Sequence, residues 1–298
     1  MYTVRKATIN DREVISKIWS ACFAVVQAYI DSYLNHCFPY CKSYFLLPEK
    51  EGPVSYLSVI PSYISRGAET VTGGYIYSVA TLPDHRGRGY ARTLIEEVTR
   101  ICKNSGYSYL VVKPADPTLF SYYRNLNFNI PLRSGEKTIN REFSPPSTSL
   151  SFTTAPLTGK ILHKLRLRTL SSHFFLTIPK IVQYAVLECE SRGGLSTLIT
   201  KNSVSPTSPL YCLAYPEENN HKKIIVIETN AKNNSEKDMV VAHLFEHYKD
   251  AESIVYRTHP SFLTSPSDSE IIITELALLL KDECKPVIES RHFSLPLE

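Results

Sequence analysis

No stretch of the 298-residue chain is apolar for long enough to span a membrane, and the opening residues Met1-Tyr2-Thr3-Val4-Arg5-Lys6 lack the apolar centre of a leader. No block of lysine and arginine stands out either. With 33 basic and 29 acidic residues the net charge is only +4, too mild to argue for a nucleic-acid surface. Seven cysteines at irregular spacing form no Cys-x-x-Cys pair, so neither a disulfide framework nor a zinc ribbon is expected. His36, Cys37 and Cys41 sit close together but have no second ligand pair, and buried free thiols are the simpler reading. These absences point to a reducing cytoplasm, with neither membrane nor nucleic acid as partner. Two phosphate-binding signatures are missing too. There is no Gly-x4-Gly-Lys-Ser/Thr, and Gly87-Arg88-Gly89 is followed by Arg92 where a dinucleotide fingerprint needs a third glycine.

The chain is 43% hydrophobic and 21% charged, a globular composition, and it is long enough for two domains. Its 19 tyrosines fit a core and a pocket better than a base-stacking surface. Residues 79–102, VATLPDHRGRGYARTLIEEVTRIC, carry the clearest signal. Tyr75 to Ala80 is rich in strand formers, and Pro83 is a natural strand end. Ala91, Leu94, Ile95, Val98, Ile101 and Cys102 then recur at helical spacing, so a helix starts near Gly89 or Tyr90. A glycine-rich loop opening onto a helix N-terminus holds anions well. The first-turn N–H groups are unpaired, the helix dipole is positive there, and glycines let the backbone come close.

The remaining pattern reads as a strand at Tyr2 to Lys6 and a helix capped by Asn10 with Glu13. A second helix follows at Ala28 to Phe38, then strands at Ser43 to Leu47 and Val54 to Ile60. After the loop helix come a strand at Tyr107 to Val112 and a short helix at Thr118 to Leu126. The run SPPSTSLSFTTAP, Ser144 to Pro156, reads as an exposed linker. Beyond it, the pattern gives a helix at Ile178 to Glu190, a hairpin of Leu210 to Tyr215 with Lys223 to Thr229, a helix at Lys237 to Lys249 and a strand at Ser253 to Arg257.

The loop resembles the acetyl-CoA signature of the GCN5-related N-acetyltransferase (GNAT) superfamily, Arg/Gln-x-x-Gly-x-Gly/Ala, with Arg86, Gly89 and Ala91 at its fixed positions. The element order over residues 1–143 resembles that family as well. The resemblance implies an α+β fold with a mixed sheet, a GNAT domain at 1–143, a linker at 144–156 and a degenerate GNAT-like domain at 157–298. In that second part Asn230 to Ser235 stands where the signature would be. The tandem arrangement is similar to Eis-type acetyltransferases.

What the resemblance implies for chemistry is transfer of an acetyl group from acetyl-CoA, as co-substrate, to a primary amine of a small molecule, an amino sugar or a protein, with no metal. The amides of Gly87, Arg88, Gly89, Tyr90 and Ala91 would take the diphosphate, helped by Arg86 and Arg88. The backbone of Val79, Ala80 and Thr81 would pair with pantetheine like an added strand. Tyr123 falls at the family's general-acid tyrosine, four residues before Asn127-Phe128, where Gly-Phe is usual. Asn tolerates the left-handed conformation that such a glycine adopts. For the base, nothing places Glu69 near an amine; the C-terminal carboxylate of Glu298 and a water chain both stay open. Aromatics at Tyr29, Tyr33, Phe38 and Tyr40 would shape the acceptor pocket or fill a core. The alternative function is a non-catalytic acyl-CoA sensor or scaffold, and a third reading is an interaction protein using its second domain. His243-Leu244-Phe245-Glu246-His247 matches a zinc-peptidase pattern by sequence, but a helix surface with two histidines is expected.

Overall fold

A computed structural model describes residues 1–66, 69–144, 151–170, 175–202, 208–262 and 270–291. Its first half runs β1 (Tyr2–Lys6), α1 (Arg12–Cys22), α2 (Gln27–His36), β2 (Lys42–Pro48), β3 (Ser55–Arg66), β4 (Glu69–Thr81), α3 (Tyr90–Asn104), β5 (Tyr109–Val112), α4 (Leu119–Arg124) and β6 (Ile130–Asn140). The second half runs β7 (Phe152–Pro156), α5 (Gly159–Thr169), α6 (Pro179–Ser191), β8 (Leu195–Lys201), β9 (Leu210–Glu217), β10 (Asn220–Thr229), α7 (Asn234–His247), β11 (Ser253–Thr258), β12 (Glu270–Leu279) and α8 (Lys285–Glu289). No described helix is long and apolar enough to cross a membrane.

All twelve strands join one sheet, in the order β1-β2-β3-β4-β5-β12-β6-β11-β10-β9-β8-β7. The two halves mirror each other about the β12–β6 pair, and their last strands are exchanged. The C-terminal β12 runs antiparallel to β5 of the first half, and β6 runs antiparallel to β11 of the second. Hydrogen bonding therefore continues across the break at Ser144 that the composition suggests as a boundary. Leu276 of β12 is fully buried beside Leu94, Val98 and Tyr123, and its neighbour Ala277 is buried on the opposite face with Tyr109 and Trp19. The first half thus takes core residues from the far end of the chain.

The expected linker is corrected at its end. Phe152–Pro156 is the edge strand β7, paired with Thr197–Lys201 of β8. Four of its five residues are exposed, because an edge strand has solvent beside it, and so its Ser/Thr composition reads like a linker. Residues 145–150 lie outside the described part. Elements that the pattern left unread are β6, α5, β8, β12 and α8.

The start of α1 is also corrected. The cap pair is Thr8 with Asp11, three residues apart, preceding the helix by a 3-10 turn at Ile9–Asp11. Asp11 Oδ2 accepts from the Thr8 amide at 2.7 Å and from its hydroxyl at 3.0 Å, while Arg5 grips both carboxylate oxygens at 2.7 and 2.9 Å. Arg5 and the Thr8 donors together hold the Asp11 carboxyl far below the usual carboxylate range. A depressed folded-state value stabilises the fold above the unfolded carboxylate pKa, and the gain disappears as pH falls through the folded value. Asp11→Asn should therefore lower the melting temperature at neutral pH, and the gap to wild type should close in acid. A gap that persists unchanged at low pH would refute this.

On one face of the first half, Trp19 of α1 stacks on Tyr33 of α2 at 4.3 Å. Tyr33, Tyr56, Tyr109 and Tyr184 are fully buried, so most of the tyrosine content here is core. Tyr33 and Phe38 fill that core, whereas Tyr40 is 39% exposed. Helix α2 packs directly on α6 of the second half. The other face carries α3 and α4, with Val98, Leu94 and Tyr123.

Candidate functional site

The site is built where β4 leaves the sheet. Strand β4 pairs in parallel with β5 only over Gly73–Ile76. Beyond that it keeps β3 but not β5, and the register with β3 slips by one residue between Tyr77 and Ala80. The extra residue is marked by Ser78, whose φ of 57° is left-handed without being glycine. Such a β-bulge stores strain of roughly 1–3 kcal/mol and is common beside functional sites. Tyr75, Tyr77 and Ala80 share one face and Ile76 and Val79 the other, so strict alternation breaks at this point.

Val79, Ala80 and Thr81 form the diverging end of β4. The Ala80 carbonyl accepts from Ser55 Oγ at 2.8 Å, and the Thr81 carbonyl accepts from Arg86 Nε at 3.1 Å and from the Cys22 thiol at 3.3 Å. A 3-10 turn at Pro83–His85 follows, with Pro83 at its start. Next comes Arg86-Gly87-Arg88-Gly89. Gly87 and Gly89 have φ of 76° and 79°, and nothing lies within 4 Å of where a Cβ would project from either. Gly89 is the N-cap of α3, and no side chain caps the first turn. The amides of Tyr90 and Ala91 thus start a 15-residue helix whose dipole points at open space. A cavity of about 270 Å³ lies there, walled by Thr81, Arg86, Gly87, Gly89, Ala91 and Tyr122, among others.

Both arginines brace the loop against its own backbone. Arg86 does so through Thr81, and Arg88 donates to the Asp84 carbonyl at 3.2 Å. Each guanidinium carries five N–H donors, so one such bond leaves most of its capacity. His85 ties the loop to the β2–β3 turn by a 2.7 Å contact with Glu51. Open glycines, an uncapped helix start and two cations together fit a diphosphate.

Tyr123 lies on α4 with 6% exposure, its ring edge-on to Tyr122 at 5.2 Å and to Phe128 at 5.9 Å. Burial raises its phenol well above the ordinary tyrosine value, so it stays protonated. The cavity wall itself is formed by Tyr122, whose buried hydroxyl has no hydrogen-bond partner among the described residues. Tyr123 packs directly beneath it. Asn127 ends this segment at φ 67°, the left-handed turn that its glycine-like position requires. Glu298 lies outside the described residues.

The second half repeats the geometry but closes it. Strand β10 pairs in parallel with β11 over Lys223–Val226, again four pairs, and then slips register against β9 at Ile227. The loop that follows satisfies itself. Asn233 Oδ1 accepts from the Glu236 amide at 3.0 Å, and Glu236 Oε2 accepts from the Lys232 amide at 2.7 Å. A carboxylate of the chain's own thus holds the place that open amides hold before α3. Nearby, Arg166 and Glu228 form an ion pair at 3.1 Å, each with 1% side-chain exposure, and Tyr211 donates to the same carboxylate. The histidines of the zinc-like pattern lie on α7, where His243 packs edge-on to Phe152 at 6.0 Å and His247 to Tyr248 at 4.7 Å. No group of three metal-ligating side chains occurs among the described residues.

Residues 3–130 match the family model described as an acetyltransferase (GNAT) domain. A probable N-acyltransferase from Enterococcus faecalis V583, a conserved protein of unknown function, superposes with a TM-score of 0.72 at 14% identity, over 94% of this chain and 73% of that one. Eis1 from Mycobacterium abscessus gives a TM-score of 0.67 at 13% identity, over 95% and 75%. A tandem GNAT protein from the clavulanic acid biosynthesis pathway gives 0.53 at 11%, over 94% of this chain and 99% of its own. None of the curated proteins matches. The N-terminal part of the chain, residues 3–130, is thus similar to an acetyltransferase (GNAT) domain. The whole length of the chain has the tandem GNAT fold, two GNAT-like halves in one sheet.

Proposed function

We propose that the protein is an acetyl-CoA-dependent N-acetyltransferase acting on a primary amine, with the first half catalytic and the second half closed to the cofactor. The observation that carries this reading is the contrast between the two loops. The Gly87–Ala91 amides are open and flanked by arginines, whereas before α7 the Lys232 amide is taken by the Glu236 carboxylate and the Glu236 amide by the Asn233 side chain.

In this reading the amides of Gly87 to Ala91 bind the diphosphate, and Arg86 and Arg88 add charge. The free edge of Val79 to Thr81 aligns the pantetheine arm as an added strand. Acetyl-CoA, when bound, supplies the acetyl group as a thioester. Tyr123 holds a proton for the departing thiolate, and its burial keeps that proton in place at physiological pH. The bulge at Ser78 turns backbone groups of β4 toward the reacting carbonyl, where pre-aimed donors contribute most.

Calorimetry with acetyl-CoA, followed by a thiol-release assay over amines, tests the proposal. Binding with thiol release that depends on an amine supports it. Binding without release under any amine leaves the sensor reading, and absence of binding overturns both.

A further inference from the structure

The second half places one carboxylate against the α1–α2 face of the first half. Glu188 of α6 has a side chain fully shut off from solvent, in a helix whose other core positions are mostly apolar, such as Ile181, Val182 and Ala185. Burying a carboxylate costs several kcal/mol unless it is well compensated, so an apolar residue would pack there more cheaply. Tyr29 of α2 donates to Glu188 Oε1 at 2.6 Å, and the Tyr29 and Tyr77 hydroxyl oxygens are 3.1 Å apart. A phenol has one proton. Tyr29 commits its own to Glu188, so in the second contact Tyr77 donates and Tyr29 accepts. The hydrogen bonds therefore run one way, from Tyr77 through Tyr29 to Glu188. Tyr77 is the residue immediately before the left-handed Ser78 of the bulge.

We propose that Glu188 is the proton acceptor for acyl transfer in the first half, taking the amine's proton through the hydroxyls of Tyr77 and Tyr29. This inference rests on the acetyltransferase reading above. The acceptor enters as its ammonium form; one N–H bond breaks, its electron pair stays on nitrogen, and the proton goes to the Tyr77 oxygen. The Tyr77 proton passes to the Tyr29 oxygen, and the Tyr29 proton passes to Glu188 Oε1. Both phenols end neutral, the carboxylate ends as a carboxylic acid, and the nitrogen lone pair is free to attack the thioester carbon. The proton returns to solvent along the same path before the next turnover. Burial, reinforced by the charge of Glu188, holds both phenols well above their ordinary value, so they pass protons rather than store them. Other titratable groups face the cluster: Tyr184 on α6 and Arg192 at its C-cap, Cys37 at the C-cap of α2, and Cys41 just before β2. Arg192 lies 3.8 Å from Glu188 and favours its ionised form. Glu188 touches no substrate in this scheme; it positions and drains the tyrosine pair.

The test compares wild type with E188Q, Y29F and Y77F in the full chain. The rate of thiol release from acetyl-CoA is measured against pH with spermidine, tyramine, glucosamine and kanamycin, and with hydrazine, which needs no deprotonation in mildly alkaline buffer. Each variant should lose about tenfold or more in kcat for the alkyl and sugar amines, lose the acid limb of the pH profile, and keep the wild-type rate with hydrazine. Acetyl-CoA affinity by calorimetry should not change. In the absence of substrate, ultraviolet titration of E188Q should show buried tyrosines ionising at lower pH than in wild type. Should E188Q fail to fold, Y29F and Y77F carry the same comparison. An unaltered pH profile, or an equal loss with hydrazine, overturns the relay alone. Wild-type protein that binds acetyl-CoA but releases no thiol with any amine overturns the acetyltransferase reading and the relay with it.

Discussion

Gly89→Val is expected to weaken acetyl-CoA binding about a hundredfold, while Gly106→Val, at the other end of the same helix, leaves it unchanged. Both glycines have left-handed φ, 79° and 86°, and neither has an atom within 4 Å of a built Cβ. The fold therefore meets both substitutions without a clash, and each costs roughly 1–2 kcal/mol of backbone strain. Their positions differ. Gly89 aims the Tyr90 and Ala91 amides at the cavity, and a branched side chain there both turns the amides and fills the space before them. Gly106 lies just past Ser105, the C-cap of α3, away from that cavity. Calorimetry with acetyl-CoA, paired with thermal melts, separates strain from loss of the anion cradle. Equal affinity in the two variants would remove the loop from the site.

Tyr123→Phe should lower kcat about a hundredfold, with acetyl-CoA affinity unchanged. The ring packs edge-on against Tyr122 and Phe128 within the core cluster that also holds Leu276 of the exchanged strand β12. Removing one oxygen leaves that packing intact, so a loss of turnover reports on the proton and not on the fold. Tyr122→Phe is the necessary partner experiment, because Tyr122 and not Tyr123 forms the cavity wall. The expected order is a large loss for Tyr123 and a small one for Tyr122. The reverse order would move the acid to Tyr122.

Much of the cofactor loop was legible in sequence because its determinants are local. Pro83 stops pairing, Gly87 and Gly89 take left-handed conformations, and the helical spacing from Ala91 begins two residues after the cap. The strand ending at Thr81 and the helix starting at Tyr90 fall where periodicity puts them. The bulge at Ser78 was not legible, because a register slip depends on the strand opposite. Strand β7 was misread because an edge strand in solvent has linker composition. The loop before α7 shows only a missing motif in sequence; that Glu236 occupies the amides is a matter of side-chain reach. Glu188 gave no signal at all, being one of two acids on an amphipathic helix.

The sequence alone determined most of the first half's element order, part of the second's, and the strand–glycine loop–helix turn at residues 81–90, since these rest on contacts within a few residues. Tertiary structure alone decided which strand completes which half, and which distant groups meet at the bulge. Strand exchange sets β12 against β5 and puts Leu276 in the same core cluster as Tyr123. Packing of α2 on α6 brings Tyr29 to Glu188, 159 residues away in the chain. Pairings over such separations are chosen by burial of whole faces, and no local pattern records them.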